Sequence, residues 1–109
     1  MTVKELTDKC CLNAIALPTP DKEVAGAYVG DLLSWVMGKA DAGNVWITIM
    51  SNINIVAVAT LTDVSCIVLA EGVSPDADAL STAEAKGINI LSTGLSSYEA
   101  AVLVSRFIK

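Results

Sequence analysis

The chain has 109 residues, a length typical of one domain, and its 7 basic and 12 acidic residues give a net charge of −5. The basic residues are scattered along the sequence, which excludes the basic face that binding to nucleic acid or to an anionic membrane surface requires. Hydrophobic residues make up 53% of the chain, compared with about 45–50% in ordinary domains. Because monomers rarely leave large apolar patches in water, we expect a subunit interface, most simply that of a homodimer.

The first half of the chain predicts short elements with irregular spacing. In chain order these are a helix over residues 3–9, an apolar run at 13–17, a strand at 24–29 and a helix at 32–39. Pro18 and Pro20 end the apolar run, and Gly26 marks a bulge or a close contact in the strand. Asp31 directly precedes the second helix, and we expect it to be the N-cap.

The second half is more regular. In chain order it predicts a strand at 45–50, a helix at 53–62 capped by Ser51 or Asn52, a strand at 66–70, a helix ending at 86, a strand at 88–91 and a helix ending near 107. Ser74 is expected to cap the helix that ends at 86, with Pro75 at its first position, and Gly87 to terminate it. Ser96 and Glu99 form a capping box for the last helix.

Alternation of strands and helices at this spacing predicts parallel βαβ units with right-handed crossovers. We therefore predict a single α/β domain over residues 1–109, a sandwich of helices and a mostly parallel or mixed sheet. Residues 45–70 carry one charge, Asp63, but polar side chains interrupt the run, and each would cost a few kcal/mol unpaired in a bilayer. This segment is expected to form strand, helix and strand, and not to span a membrane.

The sequence offers little for catalysis. It contains no histidine, no Gly-rich phosphate loop and no dinucleotide fingerprint. Asp76 and Asp78 fall where a helix begins, a place that suits acidic side chains for reasons of stability alone. Cys10, Cys11 and Cys66 lack metal-ligand spacing, and the N-terminus lacks the basic region of a secretory signal. We expect a cytoplasmic protein with reduced cysteines, no catalytic residues, no metal and no cofactor.

A ligand site is nevertheless expected at the edge of the sheet where the parallel strands end, because open α/β sheets bind ligands there. Unpaired N–H groups at the helix N-termini of such an edge can hold a phosphate or a carboxylate. The residues that we expect to line this site are Ser51, Asn52, Asn54, Gly72, Ser92 and Thr93. Trp35 and Met37 are candidates for the subunit interface, although Trp35 serves equally well as a core residue.

The sequence resembles the DRTGG domain family over almost its whole length. The resemblance is carried by an apolar strand ending in Gly72, a proline-started helix at Ser74-Pro75-Asp76, the turn at Gly87-Ile88 and the Ser92-Thr93 pair after the next strand. The N-terminal domain of HPr kinase/phosphorylase is similar in the same way, and this chain likewise lacks that enzyme's P-loop domain. A description as a serine kinase of HPr would therefore be misleading.

The resemblance implies a regulatory module that is often a homodimer. In DRTGG-containing pyrophosphatases it implies an adenine nucleotide at the dimer interface. The family's Gly-Asp-Arg-like signature would follow the strand at 45–50, where this chain reads Ser51-Asn52-Ile53-Asn54 and has no arginine. Loss of one arginine weakens phosphate binding by about ten- to a hundred-fold, because each charge-assisted hydrogen bond contributes about 1.5–3 kcal/mol.

Three functions remain open at this point. The first is a non-catalytic module that senses a small ligand, nucleotide or other anion, in a crevice at the strand edge and the dimer interface. The second is an adaptor that docks on a larger redox or metabolic enzyme; the resemblance favours an iron-hydrogenase-type partner. The third is an enzyme whose active site a partner chain would complete.

Overall fold

A computed structural model describes residues 1–108 of the chain. Five helices and five strands follow one another in this part, as α1 (Val3–Lys9), β1 (Asn13–Ala16), β2 (Ala27–Val29), α2 (Leu33–Lys39), β3 (Val45–Thr48), α3 (Asn54–Thr62), β4 (Cys66–Leu69), α4 (Ala77–Lys86), β5 (Ile90–Ser92) and α5 (Ser97–Ser105). The α/β class predicted from the sequence is confirmed.

The strands form one mixed sheet in the order β1-β5-β4-β3-β2. Strands β2 to β5 are parallel to their neighbours, whereas β1 runs antiparallel to β5. In the centre, Trp46 of β3 lies opposite Ile67 of β4. Residues 45–69 thus fold as strand, helix and strand, as expected. Among residues 1–108, no helix has the length and the apolar character needed to cross a bilayer.

Helices cover both faces of the sheet, so the central strands are buried throughout. Alternate strand residues such as Trp46 and Ile67 pack with the apolar side chains of α3 and α4 on one face. Val45 and Val68 point to the other face, where they pack with α1 and α5. All four residues of β3 and of β4 are fully buried, which explains why both strands read as continuous apolar runs.

The helix ends partly follow the sequence signals. The Ser96–Glu99 capping box is present, because the Ser96 hydroxyl accepts the Glu99 N–H and the Glu99 carboxylate accepts the Ser96 N–H. That bond from the Ser96 backbone lowers the pKa of Glu99. A second capping box, which the sequence analysis missed, joins Thr2 and Glu5 at the start of α1. Gly87 ends α4 with φ +75°, as predicted.

Three predicted caps are wrong. Helix α3 begins at Asn54 with Ile53 at the cap position, so neither Ser51 nor Asn52 occupies it. Helix α4 begins at Ala77 with Asp76 at the cap position, so Ser74 and Pro75 lie in the preceding loop. Helix α2 begins at Leu33, and Asp31 does not cap it, since the cap position is Leu32. The strand expected at 24–29 is shorter than predicted, because Gly26 has φ +73° and the extended pairing with β3 begins only at residue 27.

Asn89 connects the start of β5 to the proline segment, Pro18-Thr19-Pro20, which follows β1. Its side chain is 1% exposed; Oδ1 accepts the Thr19 N–H at 3.0 Å, and Nδ2 donates to the carbonyls of Thr19 at 2.8 Å and Ser65 at 3.0 Å. Asn89 therefore supplies two hydrogen bonds that fix the loop joining β1 to β2 and a third that links the start of β5 to the residue before β4.

Candidate functional site

The carboxyl ends of β2, β3, β4 and β5 lie along one edge of the sheet, as parallel pairing requires. We call this the carboxyl edge and define it by four segments, residues 30–33, 49–54, 70–76 and 93–96. Five of the six residues proposed from the sequence fall in these segments, and Ser92 ends the strand that leads into the last of them.

Hydrogen bonds between the segments hold the carboxyl edge together. The Gly72 N–H donates to the Thr93 carbonyl at 2.9 Å, and the Glu71 N–H donates to the Leu95 carbonyl at 2.8 Å. On the other side, the Asp76 N–H donates to the Ser51 carbonyl at 2.9 Å. The loops after β3, β4 and β5 are therefore fixed relative to one another through their backbones.

Asp31 fixes the fourth segment. One carboxylate oxygen, Oδ1, accepts the Thr48 hydroxyl at 2.8 Å and the Ile49 N–H at 3.1 Å. Thr48 is fully buried at the end of β3, and its hydroxyl oxygen also accepts the Met50 N–H at 3.3 Å. The residue expected to cap a helix instead links the ends of β2 and β3 and sets the course of the loop that follows β3.

Gly30 allows this link to form. A Cβ atom at Gly30 would lie 2.7 Å from Cε2 of Tyr28, so any larger residue would displace the tyrosine ring. The Gly30 carbonyl also accepts the indole N–H of the fully buried Trp46 at 2.9 Å. Trp46 is thus a core residue, and its single polar group orients the chain that leads to Asp31.

The residues proposed as ligand contacts differ in the exposure of their side chains and in the hydrogen bonds that their polar groups already make. Thr93 is 8% exposed, and its hydroxyl oxygen accepts the Leu95 N–H at 3.2 Å. Ser92 is 9% exposed at the end of β5. Ser51 and Asn52 are half-buried, and Asn52 Oδ1 accepts the Asn54 N–H at 2.9 Å.

Gly72 and Asn54 complete the proposed set. Gly72 is exposed with φ +71°, and a Cβ atom there would meet no atom within 4 Å. Asn54 is exposed as the first residue of α3. The structure therefore brings Ser51, Asn52 and Gly72 to the accessible part of the edge, whereas the side chains of Ser92 and Thr93 lie beneath it.

Sequence reasoning missed the carboxylates and the apolar side chains of the same edge. Glu71 is exposed and has φ +59°, an unusual value for a residue with a side chain. Ile49 and Ile53 are 42% and 40% exposed on either side of Ser51 and Asn52. The sequence contained a signal for these isoleucines, because the apolar strand is followed by the polar pair Ser51-Asn52 with Ile49 before it and Ile53 after it.

Two grooves lie beside the carboxyl edge. One, of about 450 Å³, runs between α3 and α4 and reaches the edge at Ile53 and Asn54. The other, of about 280 Å³, follows α5 from Leu95 to Arg106. Neither groove is lined by Ser51, Asn52 or Gly72. Among residues 1–108 no cluster of three or more acidic or cysteine side chains is arranged to hold a metal ion.

The two proposed interface residues lie on α2. Trp35 is 57% exposed and Met37 is 43% exposed, so neither is a core residue. The Lys39 ammonium lies 4.2 Å from the centre of the Trp35 ring, a cation–π distance. Leu32, 59% exposed, and Val29, 47% exposed on the outer strand β2, belong to the same end of the sheet.

Comparison with known proteins places the fold. The structure is similar, with a TM-score of 0.73 and 17% sequence identity, to a crystal structure of the CBS and DRTGG domains of the regulatory region of Clostridium perfringens pyrophosphatase, complexed with its activator, diadenosine tetraphosphate. The similarity covers 94% of this chain and 45% of that one. No curated protein matches the sequence. The model of the DRTGG domain matches residues 24–107, and the chain belongs to the DRTGG domain family.

Proposed function

We propose that this chain is a non-catalytic regulatory module that senses a small organic ligand at the carboxyl edge, in a crevice that a second copy of the chain completes. The observation that carries the proposal is the arrangement of the edge. Its backbone is fixed by hydrogen bonds between loops, yet Ser51, Asn52 and Gly72 stay accessible. A preorganised surface of this kind binds a ligand without the entropic cost of ordering its loops.

Family membership supports the same function. In the structural neighbour, the CBS and DRTGG domains form a regulatory region that binds a nucleotide activator. This chain spans 45% of that neighbour, so its own ligand must be established separately. We place the protein in the cytoplasm, a location that suits its three free cysteines.

A homodimer is supported by the exposed apolar side chains at the β2 end of the sheet. Trp35 and Met37 lie there among other apolar residues, and tryptophan is enriched at the centres of interfaces. We expect light scattering coupled to size-exclusion chromatography to give twice the chain mass, and Trp35→Glu to give the monomer. Leu61→Glu is the matched control, because Leu61 is 71% exposed on α3. A monomeric wild-type protein would contradict the dimer.

The ligand-sensing proposal is tested by thermal-shift measurements with a panel of nucleosides, nucleotides and small anions. A ligand at 100 times its Kd stabilises the folded state by about 2.7 kcal/mol, a shift that is easily measured. We expect at least one compound to raise the melting temperature of the wild type, and Gly72→Trp, which fills the open space at Gly72, to abolish the effect. Gly72→Ala, which carries the same backbone strain at φ +71° without the bulk, should retain it. No shift for any compound at millimolar concentration would refute the proposal.

An adaptor that docks on a larger enzyme is the second candidate, and the exposed apolar surface around Leu32 and Trp35 specifically favours it. A redox enzyme of the iron-hydrogenase type is the proposed partner. Titration of the purified protein with such an enzyme, followed by interferometry, distinguishes the two functions. Binding that Trp35→Glu abolishes and Gly72→Trp preserves would favour the adaptor.

A further inference from the structure

We infer that the carboxyl edge selects a planar, uncharged ligand of the nucleoside type and discriminates against its phosphorylated forms. This inference rests on the proposed function, since it concerns the same crevice. Three observations carry it: the charge of the edge, the use of its backbone donors and the side chains left accessible.

The charge of the edge is uniformly negative. Its four segments contain the carboxylates of Asp31, Glu71 and Asp76 and no lysine or arginine. Lys86 and Arg106 end helices that begin at this edge, and ten positions of helix separate each from the edge, about 15 Å. Lys39 ends the shorter helix α2, and its ammonium lies over the Trp35 ring at 4.2 Å. The edge itself therefore presents three carboxylates and no cation to a phosphate.

Several backbone donors of the edge, of the kind that hold anions in other α/β proteins, are engaged within the chain. In the loop after β3, the N–H groups of Ile49 and Met50 donate to Asp31 and Thr48 side-chain oxygens. At the start of α3, the Asn54 N–H donates to Asn52 Oδ1 and the Ile55 N–H donates to the Asn52 carbonyl. The Val56 N–H donates to the Ile53 carbonyl.

In the segments after β4 and β5, four more N–H groups are engaged. The N–H groups of Glu71, Gly72 and Thr93 all donate to main-chain carbonyls. The Leu95 N–H donates to the Thr93 hydroxyl oxygen. A helix N-terminus binds phosphate through unpaired N–H groups, and these bonds occupy the first-turn N–H groups of α3. At the start of α4, the carboxylates of Asp76 and Asp78 lie in or next to the first turn and oppose an anion there.

The accessible side chains suit an uncharged heterocycle. Ile49 and Ile53, which flank Ser51 and Asn52 in the sequence, offer exposed apolar surface. The Asn52 side chain uses only its Oδ1 in hydrogen bonds within residues 1–108. The Asn52 amide N–H₂ and the Ser51 hydroxyl are then available to a base or a ribose. An apolar surface with a few fixed polar groups is the usual composition of a small-molecule site.

The test compares adenosine, AMP and ATP by calorimetry in EDTA at low salt, with diadenosine tetraphosphate as a fourth probe. One like charge at about 4 Å in water weakens binding about fivefold, so the phosphate of AMP should weaken binding by about this factor and the outer phosphates of ATP should weaken it further. We expect adenosine to bind most tightly and the differences to shrink at 0.5 M salt. Amide chemical shifts of Ser51, Asn52 and Gly72 should move on titration.

A charge reversal tests the electrostatic cause. Glu71→Lys should raise the affinity for AMP relative to that for adenosine at least tenfold, whereas Glu84→Lys, the same exchange on the exposed last turn of α4, should leave this ratio unchanged. Tighter binding of ATP or diadenosine tetraphosphate than of adenosine would overturn the inference while the proposed function stands. Absence of binding for the whole panel would refute both.

Discussion

Removal of the Asp31 carboxylate should loosen the carboxyl edge without unfolding α2. Asp31→Ala deletes the bonds from the Thr48 hydroxyl and the Ile49 N–H. A hydrogen bond to a charged group contributes about 1.5–3 kcal/mol, and solvent reduces this at an exposed residue. We expect the free energy of unfolding to fall by about 1–3 kcal/mol and the melting temperature by about 5–15 °C.

Two variants calibrate this loss. Asp31→Asn keeps an acceptor oxygen without the charge, so it should lose less than half as much stability as Asp31→Ala. Asp21→Ala removes an exposed carboxylate that accepts no hydrogen bond within residues 1–108, and its loss should stay within about 0.5 kcal/mol.

Urea unfolding followed by circular dichroism measures the loss, and amide hydrogen exchange locates it. Protection of the Ile49 N–H should fall while that of Val36 in α2 is retained, because Val36 donates to the Leu32 carbonyl and not to Asp31. Selective loss of protection in α2, or equal stability of Asp31→Ala and Asp21→Ala, would refute this account of the link.

Three further predictions concern groups whose contacts are equally well defined. Asn89→Ala removes three hydrogen bonds from a buried side chain and should lower the free energy of unfolding by about 2–4 kcal/mol, whereas Asn13→Ala, at an exposed position of β1, should lower it by less than about 1 kcal/mol. Glu99 has a lowered pKa in the folded state, so its contribution to stability is present above its unfolded pKa of about 4.3 and is lost as the pH falls through the lower folded pKa. In Glu99→Gln, the free energy of unfolding should therefore fall less steeply between pH 5 and 3 than in the wild type. Burial raises the pKa of Cys66 to about 12, so a thiol reagent at pH 8 should modify the exposed Cys11 in the native protein and leave Cys66 unreacted until urea is added.

Each of these predictions has a clear contrary result. Equal loss of stability in the two asparagine variants would show that the bonds to the proline segment contribute little. If the free energy of unfolding of the Glu99 variant fell with pH as steeply as that of the wild type, the capping box would be equally strong at every pH. Rapid native labelling that persists in Cys11→Ser would show that a buried thiol is accessible through local opening.

The regular part of this fold could be predicted from the sequence because local patterns determine it. The apolar runs at 45–48 and 66–69, the break at Gly87 and the Ser96 capping box are each defined within a few residues. The pairing of β1 with β5 could not be predicted, since Asn13 lies opposite Ser92, 79 residues away in the chain. No local pattern of a four-residue strand specifies such a partner.

The candidate site shows the same division. Parallel strands must end at one edge, so the sequence could place Ser51, Asn52 and Gly72 together. It could not show that the Thr93 hydroxyl and the loop N–H groups are engaged internally, because those partners are set by the tertiary structure. Asp31 was misassigned for a related reason: a residue between a strand and a helix can serve either, and the position of Thr48 decides.

Helix α1 and strand β1 precede the stretch that matches the family model. Val3 and Leu6 of α1 are fully buried against the sheet, and β1 shields the outer side of β5. A fragment starting at residue 24 would leave β5 as an open edge and uncover apolar surface, two recognised causes of self-association. Fragments for fusion, display or crystallisation that follow the boundaries of the family model should therefore precipitate, and those that retain α1 and β1 should not.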